Sequence, residues 1–488
     1  MNSNDVAKLA LQVVADECRK SLFYFVQTFW DVVIKEDPVY NWHIPYLCEE
    51  LQLLSSSIIK REPKPYDLII NIPPGTTKST LVSVMWPVWL WVNDPTIRII
   101  SNSYSGILSV DLAGKSKDII ISDKFRKLFP AVQIRKDMSG KQHYGNTATG
   151  IRYATSTGAT ITGFHAHIII NDDPQNPKQA ESEQLREQAN EHTKTLSTRK
   201  VDKANTPVVT IMQRLHDEDV TGYLLKRKAD NIKHICLPAE LSDFVFPSDL
   251  REFYVDGLLD PKRLGRTTLQ EAKIDLGSRG YAGQYEQRPT ALGGNIIKAD
   301  WFQHISRVEF GVLRTREPIH FFLDTAYDKK SKDSDNDPSG IIGACRIRNN
   351  IYITCAAKVY KTFPELIRFL PEYMAAHDFD RARSTLRIEP KANGKSVSQQ
   401  LKEASDLNVA YTPSPTDDKA TRLHAVSPRV ECGRVYLVDG DWNEEFEDEV
   451  CGFPNKPHDE YVDLLGYAIN YLMREDDDLP DNVDELFY

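Results

Sequence analysis

Cysteine is sparse and scattered in this chain of 488 residues: Cys18, Cys48, Cys236, Cys345, Cys355, Cys432 and Cys451 form no C-x-x-C pair. Their odd number and wide spacing indicate neither a zinc knuckle nor a disulfide framework, and fit an intracellular, reducing compartment. No unbroken apolar run approaches the ~18 residues of a membrane-spanning helix, so no membrane association is expected. The opening MNSNDVAKLALQVVADECRK lacks the basic start and long apolar stretch of a signal peptide, which argues against secretion. A basic excess is also missing. The net charge is −10, whereas nucleic-acid-binding proteins usually show a basic footprint. Residues 475–488, EDDDLPDNVDELFY, hold seven acids and no base, however, and supply −7 of that total. The rest of the chain is close to neutral and has room for a locally basic groove.

What is present is globular: 41% hydrophobic and 27% charged residues, in a length that implies two or three domains. Residues 1–60 show apolar positions at three- and four-residue spacing and predict a helical segment. Over 61–237 the β-branched runs LIINI, TIRIISNS, HIIIND and TPVVTIM alternate with helical stretches, which predicts an α/β domain on a largely parallel sheet. Residues 238–318, rich in turn signals such as FPSD, DGLLDPKR and LGSRG, are expected to form a linker or wrapping segment. A second α/β pattern occupies 319–473: HFFLDTAY, GIIGACRIR and NIYITCAAKVY as strands, FPELIRFLPEYMAAH as a helix, then strands STLRIEP and NVAYTPS and a last helix YVDLLGYAINYLM. Three strands, a helix and a further strand in that order suggest a ribonuclease-H-like fold. The tail, 474–488, has too few apolar residues to pack and is expected to be disordered.

IPPGTTKST, residues 72–80, lies between the strand LIINI and a helical run. A loop in that position points backbone N–H groups at an anion from the positive end of a helix. Gly75, Thr76, Thr77, Lys78, Ser79 and Thr80 are the candidate nucleotide-binding residues, with Lys78 reaching the outer phosphates and the Ser79 hydroxyl on Mg²⁺. The usual pattern is G-x-x-x-x-G-K-[ST], and here Ile72 and Thr77 stand in place of the glycines. A plain strand–turn–helix with a solvated lysine is the competing interpretation of the loop alone. The downstream run HIIINDDP strengthens the phosphate-binding one, because it puts Asp172 and Asp173 at the carboxyl end of a strand, where open parallel sheets bind ligands. Asp172 is the candidate Mg²⁺ ligand, and Asp173 is placed to orient or deprotonate an attacking water. Gln213 and Arg214, ending a third strand, are candidates for sensing the γ-phosphate.

Five ordered segments, PPGTTKST, IIINDDP, MQRLHDEDVTGYLL, LGSRGYAGQYEQRP and HDEYVDLLGYAINYL, together resemble the large terminase subunit of tailed bacteriophages and prophages, from about Trp42 to Met473. The resemblance implies an N-terminal P-loop packaging ATPase of the RecA/ASCE type and a C-terminal ribonuclease-H-like nuclease. It implies ATP and Mg²⁺ as cofactors, with Mn²⁺ possible at the nuclease site. Its partners would be double-stranded DNA, a portal protein and a small terminase subunit. The chain would be a monomer when free in the host cytoplasm and a ring when on the procapsid. The family's Walker A lysine and serine would map to Lys78 and Ser79, its Walker B pair to Asp172 and Asp173, and its coupling motif to Thr210–Arg214. A trans-acting arginine is expected before the Walker B strand, but TITGFHAH holds none.

In the second half, Asp324 ends a strand, Glu389 ends another and Asp459 opens the last helix. Two-metal phosphodiester hydrolysis needs carboxylates that converge on hard divalent ions, and these three occupy the elements that a ribonuclease-H arrangement brings together. Each acid taken singly is better explained as a solvated strand end or a helix cap, and only the three together in these elements point to a metal site. Asp463, one turn beyond Asp459, is a fourth metal ligand or its replacement, and Asp328 a weaker candidate. Lys391, Lys395, Lys419, Arg422 and Arg429 are available for backbone phosphates. Leu486, Phe487 and Tyr488 would anchor the tail on the portal, with a tail that only adds solubility as the equally good alternative. Two rival functions remain at this level: a helicase-like DNA-dependent ATPase whose C-terminal domain only binds DNA, and a capsid-associated structural subunit with decayed sites. A converging carboxylate set would separate the first from a nuclease.

Overall fold

Where apolar residues recur every third or fourth position at the start of the chain, the computed structural model forms the helices Ser3–Lys20, Leu22–Val33 and His43–Lys60. In the second of these, the Ser21 hydroxyl accepts from the Tyr24 N–H, and Leu22, Phe25, Val26, Phe29 and Trp30 make the buried stripe. The structure describes residues 3–161, 163–228, 231–289, 295–325, 338–390, 392–404, 407–413, 418–456 and 459–473. Asp328, Lys391 and the acidic tail with its Leu486–Tyr488 end lie outside them. Two units divide the chain, Met1–Leu292 and Gly293–Tyr488.

The first unit is built on β1 (Asp67–Asn71), β2 (Arg98–Ser103), β3 (Ile134–Ser139), β4 (His143–Asn146), β5 (Ile151–Ser156), β6 (Ile168–Asp172), β7 (Val208–Met212) and β8 (Ile232–Cys236). They lie in the order β3-β4-β5-β2-β6-β7-β1-β8. The run β5-β2-β6-β7-β1-β8 is parallel, while β3 and β4 extend one edge antiparallel. The four apolar runs seen in the sequence are β1, β2, β6 and β7. Covered on both faces, they alternate between two cores: Leu68, Ile70, Ile168, Ile170, Val209 and Ile211 pack toward the N-terminal helices, and Ile100 and Ile169 pack on the other side. β3 reads IRKDMS and stays largely exposed, so it has no apolar run to announce it.

After the loop that follows β1, residues Thr80–Met85 wind as a π-helix into the helix Trp86–Asn93. The Trp86 N–H reaches back to Leu81 O, and Pro87 has no N–H to offer the Ser83 carbonyl. That carbonyl instead accepts from the fully buried Arg152, at 2.6 Å, and from Ser116 Oγ, at 3.3 Å. The stretch expected as a linker divides between the units. Leu250, Leu258, Leu259, Leu264, Leu269 and Tyr281 belong to the first core, and Gln303–Ile305 is a strand of the second sheet.

The second unit holds β9 (Gln303–Ile305), β10 (His320–Asp324), β11 (Ser339–Ile347), β12 (Asn350–Val359), β13 (Leu386–Ile388), β14 (Val409–Tyr411) and β15 (Val435–Val438), in the order β14-β13-β10-β11-β12-β15-β9. β10, β11 and β12 form an antiparallel meander, the helix Phe363–Ala376 crosses over, and β13 joins β10 in parallel. This is the ribonuclease-H-like order read from the sequence. The helix Glu460–Leu472 buries Tyr461, Val462, Leu464, Leu465, Ala468, Ile469 and Leu472. Gly340 of β11 makes that seat possible, since a Cβ there would lie 3.0 Å from Leu464 Cδ1 and 3.1 Å from Glu460 Cβ. Among the described residues no helix is long and apolar enough to cross a membrane.

Candidate active sites

The loop after β1 sits at the carboxyl end of the parallel sheet, beside the ends of β6 and β7. Gly75 and Thr77 both take the left-handed conformation, with φ of +76° and +69°. The Thr76 hydroxyl turns back onto Pro73 O at 2.8 Å and is fully buried. Lys78, only 6% exposed, donates to Gln213 Oε1 at 2.6 Å and lies 3.1 Å from Asp173 Oδ1. Ser79 Oγ donates to Asp172 Oδ1 at 2.9 Å, and Ser83 Oγ donates to Oδ2 at 2.6 Å. Burial and the neighbouring Asp173 charge push the Asp172 carboxyl up, against the opposing pull of Ser83, Lys78 and Ser79. A buried acid so placed is suited to a cation that would restore its charge. A cleft of about 430 Å³ opens here, lined by Gly75, Thr77, Lys78, Ser79, Thr80, Asp173 and Gln213 together with Tyr104, Gln175 and Asn176.

Arg214 does not join them. Its Nε donates to the buried Asp219 at 2.9 Å, its Nη2 to His216 O at 3.3 Å, and its backbone N–H to Gln287 Oε1 at 2.9 Å. Gln213, the preceding residue, is the one that meets Lys78. Ser83 is a site residue that sequence reasoning missed. It lies four positions beyond Ser79 on the following helical segment, a spacing that puts two residues on one face.

In the second unit, Asp324, Glu389 and Asp463 each offer an oxygen, and the three oxygens lie within 4.8 Å of one another. Asp324 ends β10. Glu389 follows β13, with its N–H on Leu323 O at 3.2 Å, so the parallel pairing of β10 and β13 sets the two acids side by side. Asp463 enters from the first turn of Glu460–Leu472, 2% exposed, where the sheet's Gly340 lets the helix approach. Three buried or half-buried carboxylates form a hard-oxygen set of the kind that holds Mg²⁺ or Mn²⁺, and the residues fit such an ion.

Asp459 stands outside this trio. It occupies the N-cap position, but its side chain makes no cap hydrogen bond and its Oδ1 accepts from Lys419 Nζ at 2.6 Å. The helix start is held instead by Glu449, whose Oε1 accepts from the Tyr461 N–H at 2.5 Å and which pairs with Lys358. Lys419 Nζ also lies 3.0 Å from Asp463 Oδ2, and Arg422 Nη2 donates to Asp463 Oδ1. Lys395 and Arg429 are exposed.

Fold and sites together define a two-unit α/β protein, one unit a parallel sheet with a phosphate-type loop and the other a ribonuclease-H-like sheet with clustered carboxylates. Residues 371–472 match the family model of the terminase RNaseH-like domain, and this stretch contains Glu389 and Asp463. The large terminase of a thermophilic bacteriophage shares the fold: one of its crystal forms superposes with a TM-score of 0.50 at 12% identity, covering 86% of this chain and 98% of that one. The same phage protein in complex with ADP gives a TM-score of 0.49 at 11% identity, over 88% and 99% of the two chains. The HK97 bacteriophage large terminase gives 0.37 at 11% identity, over 93% and 99%. A comparison with curated proteins yields no match. The chain thus resembles phage large terminase subunits in the family of its C-terminal domain and in its fold.

Proposed function

We propose that this chain is the large terminase subunit of a tailed bacteriophage or prophage, an ATP-driven motor that moves duplex DNA into a procapsid and cuts concatemeric DNA at a metal-dependent site. The observation that carries this reading is the convergence of Asp324, Glu389 and Asp463, two of them within the stretch that matches the terminase domain. A domain that only binds DNA has no need of three acids gathered within 4.8 Å.

In the first unit, the backbone N–H groups of residues 75–80 would face the phosphates, and Lys78 would neutralise the outer ones. Ser79 and Asp172 would hold Mg²⁺, with Ser83 fixing the second Asp172 oxygen. Asp173 would orient the attacking water, and Gln213, hydrogen-bonded to Lys78, would register the γ-phosphate. In the second unit, Asp324, Glu389 and Asp463 would ligate divalent ions, with Asp459 at the rim. Mg²⁺ or Mn²⁺ bound there would supply an activated water and stabilise the leaving 3′-oxygen. Lys419 and Arg422 put positive charge beside these acids, which suits the backbone phosphates of duplex DNA. A portal protein, a small terminase subunit, assembly as a ring on the procapsid and residence in the host cytoplasm belong to the same reading.

The test uses the purified full chain. ATP hydrolysis and cleavage of plasmid DNA in Mg²⁺ and in Mn²⁺, with and without ATP, are both expected. Hydrolysis without any cleavage under all four conditions would favour the helicase-like alternative, and neither activity would favour the structural subunit.

A further inference from the structure

The phosphate loop departs from its usual pattern at the position that governs its backbone. Thr77 stands where the second glycine of G-x-x-x-x-G-K-[ST] is expected, yet it keeps the left-handed geometry, with φ of +69°. A β-branched residue holds that conformation only where its surroundings over-determine it. Those surroundings come from two segments remote from the loop in sequence. Arg263 Nη1 donates to Thr77 Oγ1. Arg263 is itself fixed by a turn around the buried Asp260: the Lys262 and Arg263 N–H groups both donate to Asp260 Oδ1 at 3.2 Å, and the Leu264 N–H donates to Asp260 O at 2.7 Å. On the neighbouring residue, His43 Nε2 lies 3.2 Å from Thr76 O. Asn41 Nδ2 donates to Leu259 O at 2.5 Å and meets His43 Nδ1 at 2.9 Å, which ties the two segments together. With Nδ1 accepting from Asn41, Nε2 carries the proton and donates to Thr76 O. Burial keeps that imidazole neutral, pushing it down to about 4.

We propose that Arg263 is a positioning residue for the nucleotide site: by bonding the Thr77 hydroxyl it holds the loop in the phosphate-receiving shape that glycine would reach unaided. The proposal rests on the reading of residues 72–80 as an ATP-binding loop. It gives the 259–264 turn a task, since a shift of that turn would be felt as a change in nucleotide affinity without any group in the turn touching the nucleotide.

The measurement is binding of a fluorescent ATP analogue to the full chain, alongside steady-state ATP hydrolysis and thermal unfolding, for wild type, Arg263→Met, Thr77→Gly and the double variant. Arg263→Met is expected to weaken analogue binding about tenfold, the scale of losing a supporting hydrogen bond at a site, and to raise KM with little change in kcat. In the Thr77→Gly background the same change is expected to matter less than twofold, because glycine needs no holding. An equal loss in both backgrounds would mean that Arg263 acts on the nucleotide directly, and no loss in either would mean that it does nothing; each overturns the proposal. Should wild type bind no analogue, the ATP reading fails, and thermal unfolding still decides the brace. A fall in midpoint on Arg263→Met that disappears in the Thr77→Gly background upholds it, and an equal fall in both refutes it.

Discussion

Ser79 donates its hydroxyl to Asp172 Oδ1 at 2.9 Å, joining the end of the loop that follows β1 to the end of a strand 93 residues further on. Ser83 secures the other oxygen of the same carboxylate, so Asp172 is aimed by two hydroxyls from successive turns. Lys78→Ala, Ser79→Ala and Asp172→Asn are each expected to lower ATP hydrolysis by roughly a hundredfold or more, as loss of a group that directly stabilises a phosphoryl transition state does. Ser83→Ala, which only loosens Asp172, is expected to cost about tenfold, chiefly as a higher Mg²⁺ requirement. A phosphate-release assay across a Mg²⁺ series checks both, with DNA cleavage as the control that should hold steady. Equal losses from Ser79→Ala and Ser83→Ala would contradict the assigned difference in role.

The carboxylate trio makes a prediction about register on the last helix. Asp324→Asn, Glu389→Gln and Asp463→Asn each remove a negative oxygen from the cluster, and DNA cleavage should fall by about two orders of magnitude or more. Asp459→Asn should cost less than about tenfold, since its oxygen is turned to Lys419 and its loss is that of a rim group. The same plasmid nicking assay in Mn²⁺ ranks the four variants. A ranking with Asp459 above Asp463 would reverse the ligand assignment.

Gly340 is expected to be intolerant of a side chain. A branched residue there meets Glu460 Cβ and Leu464 Cδ1 and must push the helix off the sheet. Gly340→Val should destabilise the second unit by ~1–3 kcal/mol, the usual range for overpacking. It should also reduce cleavage more than Gly340→Ala does, because displacement of the helix carries Asp463 away from Asp324. Chemical denaturation with a parallel nicking assay measures both. Full cleavage by a folded Gly340→Val variant would show that the helix seat does not set the site.

Acid should weaken the first unit. Burial, opposed by the Thr76 carbonyl and by Asp260 and reinforced by Arg263, lowers the His43 imidazole from 6.5 to about 4. Above pH 6.5 the residue is neutral whether the chain is folded or unfolded, so it adds no pH dependence there. Between 6.5 and 4 the unfolded chain takes up a proton that the folded chain refuses, and stability falls as pH drops, with a ceiling of ~1.4 kcal/mol per pH unit for this one group. His167, His216 and His234 are lowered to about 4 as well, each first by burial, and act in the same direction. Thermal unfolding from pH 7.5 to 5 should show a falling midpoint, with a shallower slope for His43→Gln. A midpoint that rises on acidification would contradict the burial of these rings.

Features that depend on neighbours along the chain are legible in the order of residues. Apolar spacing marked the N-terminal helices, the uninterrupted runs marked β1, β2, β6 and β7, and the strand–loop–helix order located Lys78 and Ser79. The sequence also put Asp172, Asp324 and Glu389 at strand ends, because a strand that turns polar at its last residue is visible locally. β3, β4 and β5 escaped: β3 and β4, the antiparallel edge, read IRKDMS and HYGN, and β5, parallel to β2, reads IRYATS, so none of them shows an apolar run.

Contacts between distant segments have no such local signal and arise when the elements pack. Asp459 and Asp463 lie one turn apart in sequence, and it is the seating of the last helix on the sheet, with Gly340 of β11 against Glu460 and Leu464, that leaves Asp463 within 4.8 Å of Asp324 and Glu389. Arg214 and Gln213 are adjacent, yet Asp219 draws one away while Lys78 meets the other. Arg263 reaches Thr77 across 186 residues, a contact with no trace in either local pattern. Secondary structure follows from short-range periodicity and is written residue by residue. Convergence of side chains follows from how the finished elements pack, and that is settled by volume, close approach and paired charge in three dimensions.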